Sequence, residues 1–319
     1  MRRRGLLVAG AALAVPGVAR AQWPERSIAL MHGFGAGGAA DTICRLLAPA
    51  LGAELGKPVV VEARPGAGGN IASLALARSP ADGHTLGLLT GSHGVAAAFG
   101  KASGFDPVDG FDWVTIALRY AFVCVVRADS PWADLPALIA AAKRGDGAVQ
   151  YGTLGPGSSH HLTGEMLGVA AGVRMTPVPY RSDVAGLTAV LGGELPVMVS
   201  TTVGAMSMLQ DGKLRALAVT SARRSRQFTQ VPTVAETLPG YESSTWAGLA
   251  APAGTPVAVQ ERLHAAMLAV LAQPALKQRL ETLVDGEVAP TARAETRGVL
   301  VAEIAKWRAL IAARGLTAE

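Results

Sequence analysis

The chain has 319 residues, half of them hydrophobic, with 38 glycines and a formal charge of +5. That length allows two domains with a large buried core. With no basic patch and no aromatic interleaving, the sequence excludes a nucleic-acid partner.

The excess charge lies at the start. Arg2, Arg3, Arg4 and Arg20 come before residue 22 with no acid among them, so loss of residues 1–21 leaves +1. Arg2-Arg3-Arg4 reads as the basic region of an export signal, residues 5–19 as its apolar region, and Ala19-Arg20-Ala21 as a small-x-small cleavage site. The apolar run is short for a membrane span. The paired arginines admit twin-arginine as well as ordinary secretory export. Cleavage near Ala21 is therefore expected, with the rest of the chain working outside the cytosol.

Ile28-Ala-Leu-Met31 then reads as a buried strand. It is followed by four glycines, Gly33, Gly35, Gly37 and Gly38, and by a helix over 39–51 with Ile43, Leu46, Leu47, Ala50 and Leu51 on one face. Glycine lets the backbone turn sharply and leaves amides uncovered. A helix start adds unpaired donors and a partial positive charge. Such a place can hold a small anion without Lys or Arg, or can simply be a tight turn.

The device recurs. Residues 57–62 read as a strand, 64–70 as a second glycine loop and 71–77 as a helix. Residues 85–89 read as a third strand, closed by a third small-residue loop, Thr90-Gly-Ser-His-Gly94. In a parallel sheet these loops gather at the carboxyl edge, where ligands bind. Residues 113–118 and 121–126 read as two further strands, 131–142 as a helix and 148–151 as a strand. A fourth loop, Gly152-Thr-Leu-Gly-Pro-Gly-Ser-Ser-His-His161, enters a helix over 162–171. Strands at 175–179, 196–200 and 214–220 alternate with helices at 184–191 and 203–210. A strand near 246–250 and long helices at 257–271 and 296–314 complete the chain. The alternation predicts an α/β architecture.

Gly33-x-Gly35-x-x-Gly38 matches a dinucleotide fingerprint, and Glu62 stands 24 residues beyond it. The export signal argues against a nicotinamide cofactor. His32-Gly33-Phe34-Gly35 resembles an esterase oxyanion segment, but no Gly-x-Ser-x-Gly elbow accompanies it. A secreted oxidoreductase or hydrolase thus stands as the alternative to a binding protein. His160 and His161 are adjacent and point apart on a helix, so the pair is read as helix-start hydrogen bonders rather than metal ligands. Asp41 either caps its loop or touches a ligand. Arg181 either pairs with a carboxylate or is solvated. Ser158 and Ser159 are suited to capping, to a ligand, or to both. Cys44 and Cys124 have no metal spacing and are expected to be buried free thiols.

Taken together, these residues resemble those of the periplasmic receptors of tripartite tricarboxylate transporters, the Bug proteins, over nearly the whole exported chain. Phe34-Gly-Ala36-Gly37-Gly38-Ala-Ala-Asp41 resembles the family's first ligand loop, Glu62-Ala-Arg-Pro-Gly-Ala-Gly-Gly-Asn70 its second glycine loop, and Tyr151-Gly-Thr-Leu-Gly-Pro-Gly-Ser-Ser-His160 the other ligand loop. Val178-Pro-Tyr180, Gly212-Lys-Leu-Arg-Ala-Leu-Ala-Val-Thr-Ser221, Val231-Pro-Thr-Val-Ala-Glu236 and Ala250-Ala-Pro-Ala-Gly-Thr-Pro256 follow in order.

The resemblance implies an α/β, type II-like, two-lobed periplasmic-binding-protein fold, each lobe a sheet flanked by helices, with the ligand cleft between them. The expected division is 1–21 as signal peptide, 22–122 and 221–319 as a discontinuous first lobe, and 123–220 as the second. It implies a monomeric, non-enzymatic receptor without cofactor or metal, which holds a small carboxylate and delivers it to a two-component membrane permease. The expected ligand contacts are Phe34, Ala36, Gly37, Gly38, Asp41, Thr90, Ser92, His93, Leu154, Gly155, Ser158, Ser159, His160, Tyr180, Arg181 and Thr201. The chain departs from the family's pattern at His32-Gly33, where Pro precedes Phe, at Arg181-Ser182-Asp183, where Lys-Gly-Gly is usual, and at Ser200-Thr201-Thr202, where some members carry an Asp suited to an amino group. These departures favour plain mono- or dicarboxylates, with Asp183 placed to reject some anions.

Overall fold

The computed structural model describes residues 23–102, 104–145 and 149–317, so the export signal read over 1–21 lies outside the described residues. The first half runs β1 (Ile28–His32), α1 (Ala39–Leu55), β2 (Val59–Ala63), a single 3-10 turn over Ala67–Gly69, α2 (Asn70–Ala77), β3 (Thr85–Thr90), α3 (Gly91–Ala98) and β4 (Phe111–Arg127). Next come α4 (Leu135–Lys143), β5 (Val149–Thr153), α5 (Ser159–Ala171), β6 (Met175–Pro179), α6 (Asp183–Gly192), β7 (Val197–Thr201), α7 (Thr202–Gln210) and β8 (Leu214–Val219). The chain closes with α8 (Val234–Thr237), β9 (Ser244–Pro252), α9 (Val257–Leu271), α10 (Pro274–Val284), β10 (Glu287–Val288) and α11 (Arg293–Arg314).

The strands form two sheets that share β4. In the first, β1 pairs in parallel with β2 and β3, and β9 runs antiparallel between β3 and β4. In the second, β5 pairs in parallel with β6 and β7, and β4 runs antiparallel to β7 and β8. The change of partners is abrupt: Ala121 still pairs with Ser244 of β9, whereas Phe122 pairs with Thr201 of β7. The two strands expected over 113–118 and 121–126 are therefore one strand of 17 residues. Arg119 and Tyr120 interrupt the apolar run without interrupting the backbone ladder.

Each sheet carries helices on both faces, as its hydrophobic sides require. On the first sheet, Ile43, Cys44, Leu47 and Leu51 of α1 pack with Leu263 and Met267 of α9 and Leu280 of α10. Leu76, Ala97, Leu300 and Ile304 cover the other face. On the second sheet, Leu135, Leu138 and Leu167 lie on one side with Val234 and Tyr241. Leu187, Val190 and Ala205 lie on the other. Val234 and Tyr241 share this core with Phe122 and Cys124, so the chain between β8 and β9 packs on the second sheet. This is the two-lobed α/β binding-protein architecture.

Two expectations are corrected here besides the β4 strand. The small-residue stretch after β3 is no loop: α3 begins at Gly91, directly after Thr90. A further helix, α10, stands between the two long helices expected at the end of the chain. Both cysteines are free and buried, Cys44 in the first lobe's core and Cys124 in the second's.

Candidate functional site

The parallel strands of the two sheets point their carboxyl ends at each other. Between them lies a narrow cavity of about 20 Å³, lined by Phe34, Ala39, Ala40, Thr90, Ser92, Tyr120, Leu154, His160, Asp183, Thr201 and Thr245. The stretches after β1, β3, β5 and β7 thus meet at one place. Phe34 packs against the cores of both lobes.

Five helices begin at this cavity: α1, α3, α5, α6 and α7. Their starts are not equivalent. In the second lobe, Ser158 caps the amide of His161, Ser182 that of Ala185 and Thr201 that of Gly204. In the first lobe, Gly38 and Thr90 make no side-chain cap for α1 and α3. Asp41 in the first turn and Asp183 Oδ2, 3.5 Å from the position a Cβ on Gly38 would take, already put negative charge at the α1 start, whereas the α3 start, with its helix dipole, is open to an anion.

The loop after β1 depends on glycine at two points. A Cβ on Gly33 would lie 2.5 Å from the Cα of Gly69, and one on Gly35 2.9 Å from the Cβ of Ser182. The first contact joins the two glycine loops of one lobe, and the second joins the lobes. Three hydrogen bonds tie the lobes here. The Gly35 amide donates to the carbonyl of Arg181 at 3.2 Å. The Ser159 amide donates to Ser92 Oγ at 3.0 Å, and Ser92 Oγ donates to Ser159 Oγ at 3.4 Å.

Of the sixteen residues singled out from sequence, Phe34, Thr90, Ser92, Leu154, His160 and Thr201 line the cavity. Others shape its rim. Gly38 starts α1, and Gly37 donates its amide to Asp41 Oδ2 at 3.0 Å. Gly155 accepts the Ser158 amide through its carbonyl, and Ser158 Oγ lies 3.2 Å from the hydroxyl of Thr153. Ser159 is the partner of Ser92. Ala36 is exposed and Tyr180 half-buried beside the two loops.

Three of the sixteen are placed elsewhere. His93 faces away from the cavity: its Nδ1 lies 3.0 Å from Ser73 Oγ, its Nε2 lies 2.7 Å from the carbonyl of Pro107, and Phe105, Phe111 and Trp113 surround it. Burial drives its pKa down to about 4, against the pull of the Pro107 carbonyl. Asp41 is occupied by the Gly37 amide and Arg45, with His32 Nε2 at 3.3 Å, so it braces the loop. Burial raises its pKa, but Arg45 and the Gly37 amide outweigh that and hold it below the usual value. Arg181 contributes its carbonyl, while its side chain is exposed.

A family model described as the tripartite tricarboxylate transporter family receptor matches residues 43–316. The chain belongs to that family. This receptor is 35% identical over 289 residues to a UPF0065 protein encoded between tcbD and tcbE in Pseudomonas sp. strain P51, covering 88% of this chain and 85% of that one. It is similar to Rpa4515 of R. palustris, solved with adipate, at 30% identity and a TM-score of 0.88, covering 92% and 99% of the two chains. It is also similar to MatC of Rhodopseudomonas palustris, solved with bound malate, at 28% identity and a TM-score of 0.85, covering 91% and 100%. The family is one of transport receptors, which removes the oxidoreductase and hydrolase alternatives.

The receptor's cavity also holds residues outside the sixteen expected contacts, among them Asp183, which the sequence marked as a departure from the family's pattern. Tyr120 comes from the middle of β4 and Thr245 from the start of β9, both where the sheets meet. Ala39 and Ala40 are the first residues of α1. Asp183 enters from the start of α6 and is 2% exposed. Its Oδ1 accepts from Ser200 Oγ at 2.7 Å and from the Thr201 amide at 3.0 Å, and lies 3.4 Å from His160 Nε2. Burial raises the pKa of this carboxyl, but His160, Ser200 and Thr201 together outweigh burial and hold it below the ordinary value. His160 is 5% exposed, sits edge-on to Phe122 and makes no hydrogen bond through either ring nitrogen. Among the described residues, no group of three His, Cys, Asp or Glu is placed to hold a metal ion. No helix among them is long and apolar enough to cross a membrane.

Proposed function

We propose that the chain is an extracytoplasmic receptor that captures a small carboxylate between its lobes and delivers it to a two-component membrane permease. The observation that carries this reading is the convergence of helix starts from both lobes on one buried cavity whose described walls contain no Lys or Arg. A carboxylate is neutralised there by the uncapped start of α3, and Thr90, Ser92, Tyr120 and Thr245 supply hydroxyls. The adipate and malate bound to two relatives support the ligand class. The candidate contacts are the lining residues, with Gly37, Gly38, Gly155, Ser158 and Ser159 shaping the walls.

In this reading residues 1–21 direct export and are removed near Ala21, and the receptor acts in the periplasm as a monomer. The first lobe is 22–122 with the C-terminal part of the chain, and the second follows Phe122. The return crossing belongs near Ser243 rather than near Ser221, because Val234 and Tyr241 pack in the second core and pairing with β4 resumes at Ser244. Ligand binding shifts an open–closed equilibrium toward the closed form.

The test is a thermal-shift screen of purified receptor against mono- and dicarboxylates, with mass-spectrometric identification of whatever copurifies. A ligand of the native state raises Tm in proportion to the logarithm of its concentration. Turnover of a carboxylate without stabilisation overturns the reading, as does loss of the gene with no change in carboxylate uptake.

A further inference from the structure

The cavity has two chemically different ends. Toward the first lobe lies the uncapped start of α3. Toward the second lobe lies Asp183, its neighbouring helix starts already capped by Ser158, Ser182 and Thr201. The partners of Asp183 all meet Oδ1. Its other oxygen, Oδ2, faces across the lobes and lies 3.5 Å from the position a Cβ on Gly38 would take. His160, buried, lines the same end, its Nε2 3.4 Å from Asp183 Oδ1 and its Nδ1 without a hydrogen bond. No Lys or Arg among the described lining residues offsets Asp183.

We propose that Asp183 sets the ligand class: the receptor takes an acid whose carboxylate sits at the α3 start and whose far end carries a hydrogen-bond donor, hydroxyl or ammonium, directed at Asp183. This rests on the reading of the chain as a carboxylate receptor. A second carboxylate at the far end meets a buried like charge faced by no Lys or Arg and only by the His160 imidazole, an unfavourable pairing that specificity often exploits. A methyl at the far end leaves Asp183 Oδ2 and His160 Nδ1 without a partner inside a closed cavity. A hydroxyl satisfies these groups, and an ammonium also neutralises the charge. The low pKa of Asp183 agrees with an acceptor that stays ionised.

The experiment is calorimetric titration of extensively dialysed receptor with matched acids of three to six carbons. At each length the far end is methyl, hydroxyl, ammonium or carboxylate, as in butanoate, 4-hydroxybutanoate, 4-aminobutanoate and succinate. The expected result is that, at the best length, the hydroxy or amino acid binds at least tenfold more tightly than both the dicarboxylate and the unsubstituted acid. Asp183→Asn brings the dicarboxylate to within about threefold of the hydroxy acid. A dicarboxylate that binds the wild-type receptor as tightly as the donor-bearing acids overturns the proposal and leaves the receptor reading standing. So does a ranking that Asp183→Asn, with its Tm retained, does not change. If no acid of any kind binds, both readings fall. Should Asp183→Asn not fold, the wild-type ranking alone decides.

Discussion

The amide of Gly35 and the carbonyl of Arg181 are 3.2 Å apart, and they join a loop of the first lobe to a loop of the second. The bond is made by backbone alone, so it depends on how closely the two loops approach. A Cβ at residue 35 would lie 2.9 Å from the Cβ of Ser182 and 3.1 Å from the Arg181 oxygen. Gly35→Ala is expected to weaken binding of any stabilising carboxylate by tenfold or more. Unfolding free energy without ligand should change by less than about 1 kcal/mol, because the clash exists only in the closed form. Titration beside denaturant unfolding checks both halves, and small-angle scattering should show less contraction on ligand addition.

Ser92 accepts the Ser159 amide across the same cleft. Ser92→Ala leaves that buried donor without its partner when the lobes close, a cost of about 1–3 kcal/mol. The expected rise in Kd is about fivefold to more than a hundredfold. Ser92→Thr, which keeps the hydroxyl, should recover part of the loss. Equal affinity in wild type and Ser92→Ala would show that the bond contributes nothing to closure.

Stability is expected to fall on acidification through the histidine range. Burial lowers His93 and His161 to about 4 in the folded protein. The same side chains titrate near 6.5 in the unfolded chain. Between these values the unfolded state binds more protons, so stability drops as pH falls from about 6.5 to about 4, by at most about 3 kcal/mol per histidine. Asp183 adds a later loss: its lowered pKa contributes stability that is present above the ordinary carboxylate value and disappears as pH falls through the folded value. Urea unfolding at several pH values measures the slope. In His93→Gln the histidine part of that slope should be clearly shallower.

The two thiols are sealed in separate cores, and burial pushes the pKa of both up, that of Cys124 to about 12. Neither is a thiolate at neutral pH, and alkylation requires one. Native receptor should therefore take up no iodoacetamide in an hour. Unfolded receptor should take up two equivalents per chain, without prior reduction.

Much of the fold was legible in the residues themselves. The apolar runs at β1, β2 and β3, each followed by small residues and a helical pattern, mark a parallel sheet with its ligand edge in one place. Less legible was whatever depends on partners distant in sequence. Arg119 and Tyr120 look like a break between strands, yet β9 and β10 pair along that stretch and keep it extended. The glycines and hydroxyls of α3 have low helix propensity, and packing of Val95, Ala96 and Ala97 into the core overrides it. Ser92 and His93 are neighbours in sequence but diverge on that helix, one to the cleft and one to the aromatic core. Tyr120 and Thr245 reach the cavity only because two sheets meet at β4, which nothing local announces. Asp183 was noticed as a departure from the family's pattern, but its landing point beside the Thr201 amide is a property of the folded chain.

The uninterrupted β4 has a consequence for how such a receptor can be taken apart. Its first residues complete one ladder and its last residues complete another, so neither half owns it. Severing the chain between Ala121 and Phe122 would give each fragment a frayed central strand rather than a finished module. Splitting, shuffling or fusing these halves as independent parts therefore requires each to be given its own copy of the strand.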